Sequence, residues 1–280
     1  MKLHVINSGH FKLDGGAMFG VVPKSIWNNL NPADQNNMCS WATRCLLIED
    51  GDRLILIDTG MGNKQSDKFF GYYFLHGNDS LEKSLATKGF HPDDITDVFL
   101  THLHFDHVGG SIKWNNEKSG YRPAFKNAKY WSNSDHWQSA LNPNPREKAS
   151  FLKENILPIQ ESGQLNFYDK SSSDLPQISA ITVNGHTEAQ MLPVINYKDR
   201  EIIFCADLFP SSHHLPLAWV IAYDVQPLLT MKERQMVLER GFENNSILFF
   251  EHDPIIESAT IIQTEKGYRV GDKGDLSSIL

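Results

Sequence analysis

The stretch DITDVFLTHLHFDHVGG, residues 94–110, constrains this chain more than any other. Its apolar part reads as a short buried strand, and it runs straight into His102, His104, Asp106 and His107. His102 and His104 are two positions apart, and on extended backbone that spacing puts both imidazoles on one side. Asp106 and His107 fall on the turn that follows, where Gly109 and Gly110 permit a sharp bend. A single histidine is usually a hydrogen-bonded or surface residue. Three with an aspartate, crowded at the end of an apolar strand, read as metal ligands. Two ligand pairs aimed at neighbouring points are what a two-ion site needs.

Three later positions share that setting. His186 follows ISAITVNG, Asp207 follows EIIFCA and His252 follows SILFFE. Each ends a run that reads as a buried strand, and strands ending in His or Asp at one sheet edge would converge there. Around them the chain reads as many strands with a few helices, an α/β arrangement. Strands are expected at 2–7, 43–50, 52–60, 94–102, 128–132, 178–184, 201–206, 246–251 and 259–264, with Gly51-Asp52 as a hairpin turn. Helices are expected at 80–89, with Ser80 as N-cap and Gly89 as stop, and near 134–141, 145–156 and 230–243. Residues 8–40 read as an irregular, aromatic-bearing loop, functional rather than disordered, and 271–280 as a frayed tail. No repeat or linker divides the chain, so residues 1–280 are expected to form one domain.

The bulk numbers exclude some functions. Lys and Arg total 26 against 34 Asp and Glu, a net charge of −8, whereas a nucleic-acid partner calls for a basic face. The three cysteines, Cys39, Cys45 and Cys205, match no zinc-ribbon or CxxC spacing and read as reduced thiols. No cationic leader with an apolar run opens the chain, and no apolar run approaches the ~20 residues that span a bilayer. The expected location is the cytoplasm, with no membrane partner.

THLHFDHVGG resembles the HxHxDH signature of the metallo-β-lactamase-fold hydrolases. His186, Asp207 and His252 fall in that family's order, and LIDTG (56–60) resembles its upstream strand. The resemblance spans about residues 40–255. It implies a four-layer αβ/βα sandwich with two divalent metal ions, zinc first, with manganese, iron or cobalt also suited to such donors. It further implies that His102, His104 and His186 hold one ion, that Asp106, His107 and His252 hold the other, that Asp207 bridges them, and that Asp58 orients the histidine loop. Chemistry would run through a metal-bridging hydroxide, with Asp106 or Asp207 passing a proton to the leaving alkoxide.

Within the family, an aspartate at 207 resembles lactonases, thioesterases and phosphotriesterases rather than β-lactamases, which place a cysteine there. Cys205 reads as a core thiol. No basic RNA-processing arm or C-terminal glutathione-binding domain is evident. The stretches 14–27 and 206–227 resemble the acyl-homoserine lactone lactonase and methyl-parathion hydrolase subgroup, which implies an apolar substrate pocket lined by Phe19, Trp27 and Phe105, a tyrosine such as Tyr223 beside the metals, and a homodimer. The third histidine reads HTEAQM rather than HTPGH, a departure that bears on subgroup, since the second histidine is not normally a ligand. His213 and His214 read as structural. A small-molecule lactone or ester is the expected substrate. Phosphotriester or aryl ester cleavage, an iron-based redox role and a non-catalytic metal-binding module are the alternatives.

Overall fold

The structure is a computed structural model that describes residues 1–169 and 174–280. In chain order it begins with β1 (Lys2–Asp14), α1 (Gly15–Phe19), α2 (Lys24–Trp27), β2 (Met38–Asp50) and β3 (Arg53–Ile57). Then come α3 (Asp67–Tyr73), α4 (Leu81–Thr87), β4 (Asp97–Phe99), α5 (Phe105–Val108), β5 (Ile112–Trp114) and β6 (Tyr121–Pro123). β7 (Lys129–Ser132), α6 (Ser134–Leu141), α7 (Lys153–Glu161) and β8 (Leu165–Phe167) precede the second sheet, whose strands are β9 (Ile178–Val183), β10 (Gln190–Tyr197), β11 (Arg200–Phe204), β12 (Ile247–Phe249), β13 (Ser258–Thr264) and β14 (Gly267–Gly274). α8 (Pro227–Glu243) lies between β11 and β12, and α9 (Leu276–Ile279) follows β14.

These elements fall into two compact units, Met1–His10 with Thr43–Ser172, and Phe11–Ala42 with Ser173–Leu280. The first is built on a six-stranded sheet in the order β1-β2-β3-β4-β7-β8. β2 and β3 form the expected hairpin, with Asp50 opposite Arg53 and Gly51 at φ 60°, where a side chain would be strained. β3, β4, β7 and β8 then run parallel. Parallel strands are covered on both faces, which explains the runs LILI and VFL. Leu56, Val98, Leu100, Tyr130, Trp137 and Ile159 pack there into one buried cluster.

The second unit carries the sheet β14-β13-β12-β11-β10-β9. β11 and β12 are parallel and the other pairs antiparallel. Each unit therefore contains a parallel strand pair, and the carboxyl ends of such pairs are where open α/β sheets bind ligands.

Three expectations need correction. Residues 8–40 are not an irregular loop: β1 continues to Asp14, and the Asp14 carboxylate caps α1 by accepting from Ala17 N at 2.9 Å. The polar run Asn7-Ser8-Gly9-His10 breaks the two-residue alternation and hid the strand, which bends at Gly9, φ 117°. Residues 271–280 are ordered as the end of β14 and α9, tied down by Leu276 N donating to Glu257 at 2.8 Å. The helix expected near 145–156 begins only at Lys153 and carries Pro158 inside it. β10 had no counterpart in the sequence reading, because Pro193 in mid-strand argues against a strand. All three cysteines are buried free thiols. Among the described residues no helix is long and apolar enough to cross a membrane.

Candidate metal centre

In the first unit the site grows from the ends of β3 and β4. The chain leaves β3 at Asp58, whose φ of 55° turns its carboxylate back onto the following strand. Asp58 Oδ1 accepts from Thr101 N at 2.8 Å, and Oδ2 accepts from Thr101 Oγ1 at 2.6 Å. The same Oδ2 lies 3.1 Å from His107 Nδ1. One buried aspartate thus ties the strand end, the threonine before His102 and the ring of His107. The rings of His102 and His107 are 3.9 Å apart, and those of His102 and His104 4.6 Å. His104 Nε2 is paired with the buried Glu147 at 3.2 Å. Leu103 N, between the two histidines, donates to His136 Nε2 at 2.8 Å.

The turn after α5 is held by close backbone approach. A Cβ on Gly109 would stand 2.2 Å from Met61 O, and one on Gly110 2.1 Å from Thr59 O. Thr59 N and Oγ1 both donate to His107 O at 2.8 Å, and Lys64 Nζ donates to Gly109 O at 2.5 Å. Gly109 itself has an ordinary helical φ of −57°. The two glycines are required for space rather than for the sharp bend expected of them.

In the second unit His186 follows β9, Asp207 follows β11 and His252 follows β12. Asn184 N and Gly185 N donate to the Glu233 carboxylate on α8 at 2.7 and 2.9 Å. Gly185 admits no side chain, since a Cβ would meet Thr230 N at 2.4 Å. Asp207 reaches both neighbouring rings, with Oδ2 3.1 Å from His186 Nε2 and Oδ1 3.1 Å from His252 Nε2. On their far sides His186 Nδ1 meets Asp224 at 3.0 Å, and His252 Nδ1 meets Ala42 O at 2.8 Å. Burial alone would drive His186 toward its neutral form. Asp207 and then Asp224 outweigh it and push its pKa up to about 10.

This donor chemistry fits divalent metal ions. His107, His186 and His252 are each held at Nδ1 by an acceptor, which sets the tautomer whose lone pair is on Nε2, the arrangement that metal-binding histidines use. His104 is held at Nε2 instead, so its donor nitrogen is Nδ1. The potential ligand atoms of His102 and His104, of Asp106 and His107, and of His186 and Asp207 lie within 4.8 Å of each other in each pair. A ring between two buried carboxylates favours positive charge, which a cation at Nε2 could supply.

The expected pocket residues divide. Phe19 and Trp27 are fully buried and stacked, Phe19 lying 5.2 Å from Trp27 and 5.1 Å from the ring of His214. Both are buried within the second unit, on α1 and α2. His214 is structural, bridging Ser211 Oγ and Met18 O at 2.7 and 2.9 Å, and burial pushes its pKa down to about 3. Phe105 packs against Phe69 and Tyr73 of α3, with centroids at 5.3 and 4.7 Å. Tyr223 is 39% exposed, beside the buried Asp224. Asp224, Glu147, His136 and Glu233 escaped the sequence reading, since none stands in a motif and each acts only through a histidine or a turn.

The family model of the metallo-beta-lactamase superfamily matches residues 41–252. The N-acyl homoserine lactonase AiiA of Bacillus thuringiensis subsp. kurstaki is 25% identical over 286 residues, covering 96% of each protein. An N-acyl homoserine lactonase of Bacillus cereus is 24% identical over the same span. Among solved structures, one described as a probable metal-dependent hydrolase from Staphylococcus aureus is 28% identical with a TM-score of 0.87, covering 97% of this chain and 95% of that one. AidC, described as a dizinc quorum-quenching lactonase, is 22% identical with a TM-score of 0.77, covering 98% and 95%. These likenesses agree with the α/β fold and with the lactonase-like subgroup read from the sequence, and the chain belongs to the metallo-β-lactamase superfamily.

Proposed function

We propose that this protein is a metal-dependent hydrolase that opens lactones, or cleaves related esters carrying an apolar group, and that both units act together as one catalytic domain. In this reading His102, His104 and His186 hold one divalent ion and Asp106, His107 and His252 the other, with Asp207 shared between them. The observation that carries it is the set of Nδ1 anchors, Asp58 on His107, Asp224 on His186 and Ala42 O on His252. Metal-ligating histidines almost always carry such a partner on the ring nitrogen that does not face the metal. The named lactonase relatives, which the chain matches over nearly its whole length, support the substrate class, and the dizinc relative favours zinc.

The bound ions would supply Lewis acidity and lower the pKa of a water from 15.7 to about 7. The chain's own residues do the rest. Phe105, backed by Phe69 and Tyr73, offers an apolar wall beside the ligands His104 and Asp106 and excludes bulk water. Asp207, whose two carboxylate oxygens lie 3.1 Å from His186 Nε2 and His252 Nε2, spans the two rings. As water adds to the ester carbon and the C–O bond breaks, Asp106 or Asp207 carries the proton to the leaving oxygen. The phenol of Tyr223 can donate to the same oxygen.

The test is a substrate panel on zinc-loaded and metal-stripped protein: acyl-homoserine lactones, aryl esters, phosphotriesters and glutathione thioesters. Lactone turnover that disappears on stripping and returns on reloading is expected. Turnover of phosphotriesters alone, or of no ester at all, contradicts the reading.

A further inference from the structure

The second unit contains a cavity of about 270 Å³ with no assigned role. One wall is apolar, made by Leu30, Leu215, Pro216 and Trp219, and the other is cationic, made by Arg269 and Lys273 of β14 with Val270 between them. Among the described residues no Asp or Glu lines it. In a chain of net charge −8, this concavity presents two cations, Arg269 and Lys273, beside apolar side chains.

Both walls are built rather than incidental. The β13–β14 register shifts between Ala259/Ile261: these lie opposite Lys273 and Val270 respectively, so β14 contains an extra residue. Such a bulge re-aims side chains, and here Arg269, Val270 and Lys273 all reach the same cavity. The apolar wall is pinned from behind by the fully buried Arg234 of α8. Its guanidinium donates to Leu208 O at 2.7 Å, His214 O at 3.1 Å and Trp219 O at 2.8 Å. Ser212, also lining the cavity, donates through N and Oγ to Asp253 at 3.0 and 2.6 Å. A pre-formed concavity, mostly apolar with a few placed charges, is the general form of a small-molecule site.

We infer that this cavity is a second ligand site that takes a monocarboxylate with an apolar body, its carboxylate on Arg269 and Lys273 and its hydrocarbon against Leu215, Pro216 and Trp219. A single headgroup charge matches the cation pair, because Arg269 Nη1 is already partly committed to Tyr268 O at 2.6 Å and the rest of the lining rewards apolar surface. The inference uses none of the metal-site residues and stands whether or not the hydrolase reading does.

The experiment follows the indole N–H resonance of Trp219, identified by its loss in Trp219→Phe, in the metal-loaded full chain. Hexanoate, hexan-1-ol and inorganic phosphate are titrated in turn. Saturable movement with hexanoate is expected, with binding about tenfold or more weaker for hexan-1-ol, the factor that ~1.4 kcal/mol of lost ion pairing gives, and no movement with phosphate. The double variant Arg269→Ala/Lys273→Ala should weaken hexanoate by a similar factor while the other indole resonances stay in place. No movement with hexanoate, equal binding of hexan-1-ol or phosphate, or unchanged hexanoate affinity in the double variant would each overturn the inference.

Discussion

Asp224 and Lys64 show how single buried groups shape the candidate ligand sets of the two units. Asp224 touches His186 at Nδ1 and would act on a metal only through that ring. Asp224→Asn keeps the shape but weakens the acceptor that sets the tautomer. Outer partners of this kind are worth about 10–100-fold in metal affinity or activity, and a loss in that range is expected in chelator competition. Unchanged zinc affinity in the variant would remove Asp224 from the site. Lys64 is 4% exposed, and burial pulls its pKa down to about 7, opposed by Glu154. The unfolded chain keeps this amine protonated up to about 10.4. Between pH 7 and that value the unfolded state therefore binds more protons, and the Lys64 penalty fades as pH rises. Urea unfolding should show the wild type gaining on Lys64→Met from pH 7 to pH 9. Curves that stay parallel across that range would show the amine to be unperturbed.

At the scale of elements, the α5 turn depends on space that only glycine leaves. A methyl group on Gly110 must displace Thr59 O, which stands 2.1 Å from the Cβ position. Gly110→Ala should therefore cost about 1–3 kcal/mol, the range for overpacking, read in denaturant melts, and should reduce metal content because His107 O bonds to the same Thr59. A variant with wild-type stability and metal content would show that the turn adapts freely. Most elements could be read in the sequence where local patterns were unopposed. The hairpin turn at Gly51, α4 behind Ser80, β7, β9 and β11 all appeared within a residue or two of where they were expected, while β2 starts five residues earlier, at Met38. β10 did not, since Pro193 speaks against a strand locally while the pairing of Pro193 with Ala180 is a tertiary fact. The far end of β1 was hidden by polar residues at half-buried positions, and α1 and α2 by their brevity.

For the molecule as a whole, the ligand candidates were legible because each stands directly after an apolar strand, and HxHxDH is dense enough to mark its own setting. Their supports were not legible. Ala42 holds His252 through a backbone carbonyl, which leaves no trace in residue type, and Glu147 and Asp224 stand far along the chain from the rings they orient. Phe19 and Trp27 were aromatic residues in a suggestive stretch, and nothing in their spacing could reveal that Phe19 stacks between Trp27 and the ring of His214. The proposal that two half-sets of ligands, 102–107 in one unit and His186, Asp207 and His252 in the other, serve one pair of ions is the claim on which the functional reading rests. Elemental analysis of chelator-stripped, zinc-reloaded and desalted protein tests it directly, with Asp207→Ala measured alongside. Two zinc ions per wild-type chain, lost together with lactone turnover in Asp207→Ala, is the outcome predicted. A wild-type chain that takes up no zinc, or an Asp207→Ala chain that keeps both ions and full turnover, would contradict it.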